Sequence, residues 1–212
     1  LHPVCLDREQ QNKIVTFPAS TTSDKEIIGR DWVLIDIDCE RMAGVNATSQ
    51  EAQYAYAKAE QVESFLLSQG FNRPVKVFSG SGIHLYLKCA LACNESNDAL
   101  IRDFLLALGM LFDDANCKID SVVFNNSRIS RLPGTWNRKG SKSSKESPQR
   151  ICRFLSVPDE IKINEKEFFQ KMRKSDNVSP SESVKKNIFK KMSSKISSIL
   201  YLYHPYASTA FV

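Results

Sequence analysis

The order of apolar and polar positions divides the chain into a series of short elements. Residues 32–37, Trp-Val-Leu-Ile-Asp-Ile, are apolar and rich in β-branched side chains and run out into acids, the pattern of a buried strand. Thr48-Ser-Gln-Glu51 has capping-box spacing, in which the hydroxyl and the Glu carboxylate each satisfy a backbone N–H at a helix start. It opens a predicted helix that runs to about Gln69 and stops at Gly70, with Ala55, Ala59, Val62, Phe65 and Leu66 recurring at helical spacing. Val75–Phe78 and Ile83–Cys89 predict two strands, joined through Ser79-Gly-Ser-Gly82 as a hairpin. Ser96-Asn-Asp98 predicts the cap of a second helix over 97–113, with Leu100, Phe104, Leu105, Leu108 and Leu111 facing inward.

Lys118–Phe124 then reads as a strand and Ile129–Leu132 as a shorter one. A polar, basic loop at 137–149 leads to a strand at 151–155 and a helix at 164–173, and Ser175–Ser183 has the Ser, Pro and Asn content of a linker. No repeat of 20–50 residues is present. Strands alternating with helices predict an α/β or α+β domain with helices on one face of a sheet.

Length and composition narrow this picture. The 212 residues, 42% hydrophobic, suffice for one core of ordinary size with a short appendage. No run of 18 apolar residues predicts a membrane span, and the N-terminal residues lack the pattern of a signal peptide. The six cysteines, at 5, 39, 89, 93, 117 and 152, have no repeating spacing and read as reduced, mostly buried thiols of an intracellular protein. Cys89 and Cys93 would share a face if helical, but zinc needs two further ligands, and only Cys117 lies near in sequence.

Charge adds a further signal. Residues 1–126 carry 11 Lys and Arg against 17 Asp and Glu, a net −6, whereas residues 127–212 carry 18 against 7, a net +11. Segregation of this kind is the footprint of a polyanion-binding surface or of a solvated basic tail, and charge alone does not separate the two.

Candidate chemistry sits at the strand ends. Asp36 and Asp38 are two apart on a predicted strand, so their carboxylates share a face and repel unless a cation lies between them. Oxygen ligands alone suit Mg²⁺ or Mn²⁺; an isolated Asp-x-Asp is as well explained by a cap, a turn or surface acids. Small residues at Ser79, Gly80, Ser81 and Gly82 allow a phosphate to approach the backbone, and His84 opens the next strand beside them; the plainer alternative is a Gly-rich hairpin with one satisfied His. Asp120 would supply a third carboxylate, or cap a strand. Arg128, Arg131, Arg138, Lys139, Lys142, Lys145, Arg150 and Arg153 place eight cations in 26 residues against Glu146 alone. Guanidinium forks suit phosphate oxygens; a solvated loop is the alternative.

Taken in order, these motifs resemble the catalytic domain of the archaeo-eukaryotic primase superfamily, in the primase–polymerase branch of phages, plasmids and other mobile elements. The matching stretches are Thr21–Asp24, Arg30–Asp38, Ser79–Tyr86, Ile119-Asp120 through Asn125–Thr135, Lys139-Gly140 and Arg150–Arg153. The resemblance implies an α+β fold with an RRM-like antiparallel or mixed sheet and flanking helices. It implies a catalytic domain over 1–174, short of part of its N-terminal region, with a linker and basic tail over 175–212. The implied activity is template-directed joining of nucleoside triphosphates: DNA primase, DNA polymerase or both. The implied metal ligands and catalytic acids are Asp36, Asp38 and Asp120, holding Mg²⁺ or Mn²⁺. Ser79, Gly80, Ser81, Gly82 and His84 match the nucleotide-contacting motif, with Arg128 and Arg131 near the nucleotide or template. Arg138, Lys139, Arg150 and Arg153 are expected on the nucleic acid.

Expected partners are a single-stranded DNA template, dNTP or NTP, and a helicase, either a separate partner or a fused one missing from this chain, since the chain carries no GxxxxGK[ST] motor loop; no membrane is expected. The expected location is the cytoplasm of a bacterial, archaeal or phage-infected cell. Two other readings use the same residues: a metal-dependent nuclease, and a non-catalytic nucleic-acid-binding relative.

Overall fold

The computed structural model describes residues 22–42, 44–138 and 143–174. The N-terminal segment, Lys139, Lys142 and the linker and tail at 175–212 lie outside the described residues.

Strand β1 (Gly29–Cys39) is the centre of the domain. Its alternation decides the architecture: Val33, Ile35 and Ile37 are fully buried on one face, whereas Asp36 and Asp38 lie part-buried on the other. Helix α1 (Ser49–Ser68) follows, started by the predicted capping box at Thr48 and Glu51. Strands β2 (Val75–Phe78) and β3 (Ile83–Ala92) form the expected hairpin. Helix α2 (Glu95–Phe112) leads to β4 (Cys117–Ile119). After a long segment come two-residue strands β5 (Trp136–Asn137) and β6 (Arg150–Ile151), then β7 (Arg153–Ser156) and helix α3 (Lys166–Lys174).

The main sheet has five strands in the order β4-β1-β3-β2-β7, all antiparallel neighbours. In the β1-α1-β2 and β3-α2-β4 units the two strands of each pair run parallel with a third strand between them, the split βαβ arrangement. The fold is therefore α+β, with an antiparallel sheet and helices on its flank.

Helices α1 and α2 cover the face that carries Val33, Ile35, Ile37, Ile83, Leu85 and Leu87, and α3 closes that core with Phe169. Each such fully buried side chain contributes about 1.5–3 kcal/mol. On β2, buried Lys76 meets Glu60 and Glu63 of α1, with Arg73 on the far side of Glu63, so the carboxylates are satisfied as pairs. The opposite face carries a second, small cluster, in which Trp32 and Tyr86 pack on Val75, Val77 and Cys152. Cys152 belongs to the segment after β4, which thus folds over this second face.

Several elements differ from expectation. Asn94, not Ser96, caps α2, because its side chain accepts the N–H of Asn97. The strand expected over 118–124 ends at Ile119 and gives way to a 3₁₀ turn at Ser121–Phe124. Residues 129–132 are not a strand; Ile129 and Leu132 are 85% and 70% exposed and have no ladder partner. The strand expected over 151–155 is two strands in different sheets, broken at Cys152, whose side chain turns into the second cluster. Cys39 and Cys117 stand directly opposite each other on β1 and β4 and form a disulfide, so the expectation of reduced thiols fails for that pair. Cys89 is a buried strand residue, and Cys93 follows the end of the same strand, so neither is helical.

A candidate acidic site at the end of the central strand

The C-terminal end of β1 brings together segments that are far apart in sequence. Asp36 stands opposite His84 in the β1–β3 register, and its carbonyl accepts the backbone N–H of Asp120 at 2.9 Å. Strand alternation puts His84 and Tyr86 on the same face as Asp36 and Asp38. His84 Nε2 lies 3.5 Å from Asp36 Oδ1, and Nδ1 lies 3.1 Å from the Tyr86 hydroxyl, which also meets Ser130. The His84 pKa is lowered to about 4, chiefly by burial; Asp38 opposes the shift and Arg131 adds to it. At neutral pH the imidazole is therefore neutral, and its contact with Asp36 is not an ion pair.

Asp38 has a committed partner. Arg41 holds it with both Nη atoms at 2.7 Å, and donates also to the carbonyls of Cys39 and Val45 at 3.0 and 3.1 Å. Its side chain is only 11% exposed, so this is a built-in bidentate pair rather than a surface contact. Asp120 caps the 3₁₀ turn, its Oδ1 accepting Val122 N–H at 2.8 Å while Arg128 approaches Oδ2 at 3.5 Å. Asp38, Asp120, Arg41 and Lys118 face an open cleft of about 260 Å³.

The three predicted acids thus share one end of the sheet, but each carboxylate is turned to a different donor. Among the described residues no three His, Cys, Asp or Glu side chains stand close enough to hold one metal ion. The donor type nonetheless fits a hard divalent cation, since Asp38 and Asp120 offer oxygens to one cleft and two guanidinium groups already answer their charge. Accommodating such an ion requires Arg41 to release Asp38.

The Gly-rich turn closes against this site. A Cβ on Gly82 would lie 2.4 Å from the Ile37 carbonyl oxygen and 2.7 Å from Asp38 Oδ1. Gly80 has φ +95°, and its missing Cβ leaves room for Asn137 and the Arg150 carbonyl. The hydroxyls are used inside the protein: Ser79 Oγ accepts Gly82 N–H at 3.0 Å, and buried Ser81 accepts from Asn137 Nδ2 at 3.1 Å. Both serines fasten the turn rather than offer a free hydroxyl.

The basic block is divided. Arg131 is close enough to His84 to lower its pKa, and donates to the Trp136 carbonyl at 3.4 Å. Arg150 is anchored on the Ala47 carbonyl and Ser49 Oγ. Arg153 stands opposite Phe78 and over its ring, on the face the helices cover, so it is not on the acid face as expected of a nucleic-acid contact. Arg138 is exposed beside β5, and Lys139 lies outside the described residues.

Sequence reasoning overlooked three participants. Arg41 is signalled only by its i+3 spacing from Asp38. Tyr86 is signalled by i+2 spacing from His84 on a strand. Arg30 is 10% exposed and binds the Phe124 carbonyl, Asn126 Oδ1 at 2.6 Å and Asp98 at 3.4 Å, fixing the segment that carries Arg128; nothing local in sequence announces it. Among the described residues no helix is long and apolar enough to cross a membrane. No protein-family model, curated protein or solved structure matches the chain.

Proposed function

We propose that this domain is a template-directed nucleotidyltransferase, a DNA primase, a DNA polymerase or both, acting with Mg²⁺ or Mn²⁺. One observation carries the reading: Asp36, His84 and Asp120, from three separate motifs, meet at the end of β1 through strand register and a backbone hydrogen bond. Asp36, Asp38 and Asp120 are the residues to hold the ions. A divalent ion held by them would neutralise triphosphate charge and favour ionisation of the attacking hydroxyl. In this reading neutral His84, ordered by Tyr86, contacts a nucleotide phosphate, with Arg128 beside Asp120 and Arg131 near His84 as further cations. Single-stranded DNA as template, dNTP or NTP as substrate, and a helicase partner belong to the same proposal.

The bidentate Arg41–Asp38 pair favours a second reading, a non-catalytic nucleic-acid-binding relative in which a guanidinium replaces the cation. Two measurements separate them. Extension of primed and unprimed single strands with dNTP or NTP should occur in wild type and vanish in Asp36→Ala. Calorimetric titration with Mn²⁺ should show binding that strengthens in Arg41→Gln, where the competing cation is gone. Absence of both synthesis and Mn²⁺ binding in wild type supports the second reading. Shortening of the template instead of extension of the primer identifies a metal-dependent nuclease.

A further inference from the structure

We infer that the β5–β6 hairpin is a stacking platform for a nucleobase of single-stranded nucleic acid, with Trp136 as its contact surface. This deepens the proposed function by naming where the strand lies, yet it requires only that the protein bind single strands.

The hairpin has two unlike faces. Asn137 and Arg150, opposite each other in register, face inward; Asn137 is 2% exposed on Ser81 and against Gly80, and Arg150 reaches the Ala47 carbonyl and Ser49. Strand alternation turns Trp136 and Ile151, the other cross-strand pair, outward, where they are 52% and 40% exposed. The outward Trp is not on a loose loop. Gly134 N–H donates to the Cys152 carbonyl at 2.7 Å, Cys152 N–H to Thr135 at 2.8 Å, and Thr135 Oγ1 to Leu132 at 2.7 Å. The backbone beside the ring is thus held, and the ring stands on its outward face.

Charge identifies the occupant. Arg131 binds the Trp136 carbonyl, and exposed Arg138 follows Asn137 at the end of β5. A rigid aromatic face flanked by guanidinium groups matches a strand whose bases are unstacked and whose phosphates are accessible. A duplex, with its bases already stacked, does not fit it.

The chain has two tryptophans, and Trp32 packs edge-on to Tyr86 beneath Lys88, so Trp136 is the exposed fluorophore. Titration of the full chain with oligo(dT) should quench tryptophan emission. Quenching should persist in Trp32→Phe and disappear in Trp136→Phe, which keeps an aromatic face and most of the affinity. Trp136→Ala should bind roughly 5- to 100-fold more weakly, by anisotropy of a labelled oligonucleotide, with an unchanged salt slope because phosphate contacts remain. The inference is overturned if Trp136→Ala binds as wild type does, if Trp136→Phe still quenches, or if wild type does not bind the oligonucleotide. A dimer lost in Trp136→Ala, with oligonucleotide binding intact, assigns the face to a second copy of the chain and also overturns it. Wild type that binds and quenches without extending a primer supports the platform and removes the synthesis reading. Primer extension by wild type, with Trp136→Ala binding the oligonucleotide as tightly as wild type does, removes the platform alone.

Discussion

Replacing Gly82 by Ala tests how tightly the Gly-rich turn is fitted to the acid strand. The added methyl would sit 2.4 Å from the Ile37 carbonyl oxygen, 2.7 Å from Asp38 Oδ1 and 3.1 Å from Asp38 Cγ. A non-bonded carbon needs roughly 3.5 Å, so the first contact is short by about 1 Å. Ile37 cannot yield, because it is fully buried and paired to Ile83 on one side and Ile119 on the other. The turn must move instead, and it is held by Ser79 N–H on the Gly82 carbonyl and Gly82 N–H on Ser79 Oγ. Overpacking costs about 1–3 kcal/mol and a weakened turn hydrogen bond about 1 kcal/mol more. A total of about 2–4 kcal/mol lowers the melting temperature of a domain this size by roughly 4–16 °C. Gly44→Ala is the control: φ there is +79° but nothing lies within 4 Å, so only the left-handed penalty of about 1–2 kcal/mol applies. Thermal unfolding followed by circular dichroism, with chelator present, reads both. A Gly82→Ala melting point within about 1 °C of wild type, or a larger drop for Gly44→Ala, would refute the packing argument.

Three further outcomes follow from the same contacts. With the His84 pKa lowered to about 4, the unfolded imidazole takes a proton before the folded one does, so stability is full above about pH 6.5 and falls as pH drops toward 4. The effect is on the order of 3 kcal/mol; in urea unfolding, the stability gap between wild type and His84→Gln should shrink by that order between pH 7.5 and 4.5. Arg30→Met leaves the Phe124 carbonyl and Asn126 without their buried donor, at a cost of about 2–3 kcal/mol, and should speed hydrogen exchange at 124–128 while leaving the β1–β3 ladder protected. Burial pushes the Cys89 thiol up to about 12 and also raises Cys93 and Cys152, and Cys93 alone of the three is not buried. Alkylation of the native protein at pH 8, followed by mass spectrometry, should therefore label Cys93 well before Cys89 or Cys152.

The elements built on strong periodicity were legible before any coordinates. Helix α1 begins at the predicted cap and the β2–β3 hairpin forms around the predicted turn, because capping chemistry and alternation act over a few residues. The segment after β4 was not legible, since its conformation is set by distant partners. Residues 129–132 are apolar enough for a strand, but Arg30 and Asp24 fix residues 124–127 before them and the β5–β6 pairing fixes 136–137 after them, so they form the exposed connection between two held ends. At the site, spacing identified Asp36 with Asp38 and placed His84 beside the turn. It did not reveal what each carboxylate would bind, because Arg41 and Tyr86 are recruited by geometry, and the stretch that holds Arg128 does not announce its contact with Asp120.

The charge separated along the sequence is partly recombined in space. The second half of the chain carries the net positive charge, and it brings Arg128 to Asp120 and Arg131 beside His84 on the face that holds the acids. Arg41 does the same from within the acidic half. Under the proposed function this sets how the site must be filled. Releasing Asp38 to a lone cation would leave Arg41, whose side chain is nearly buried, with only the Cys39 and Val45 carbonyls as acceptors and no counter-charge. A guanidinium fork accepts phosphate oxygens as readily as carboxylate ones. Arg41 can therefore leave Asp38 cheaply only when a polyphosphate arrives together with the cation, exchanging one bidentate partner for another. Under that function the pair would set a condition on occupancy: the acids would bind a cation weakly on its own and more tightly when the nucleotide is present.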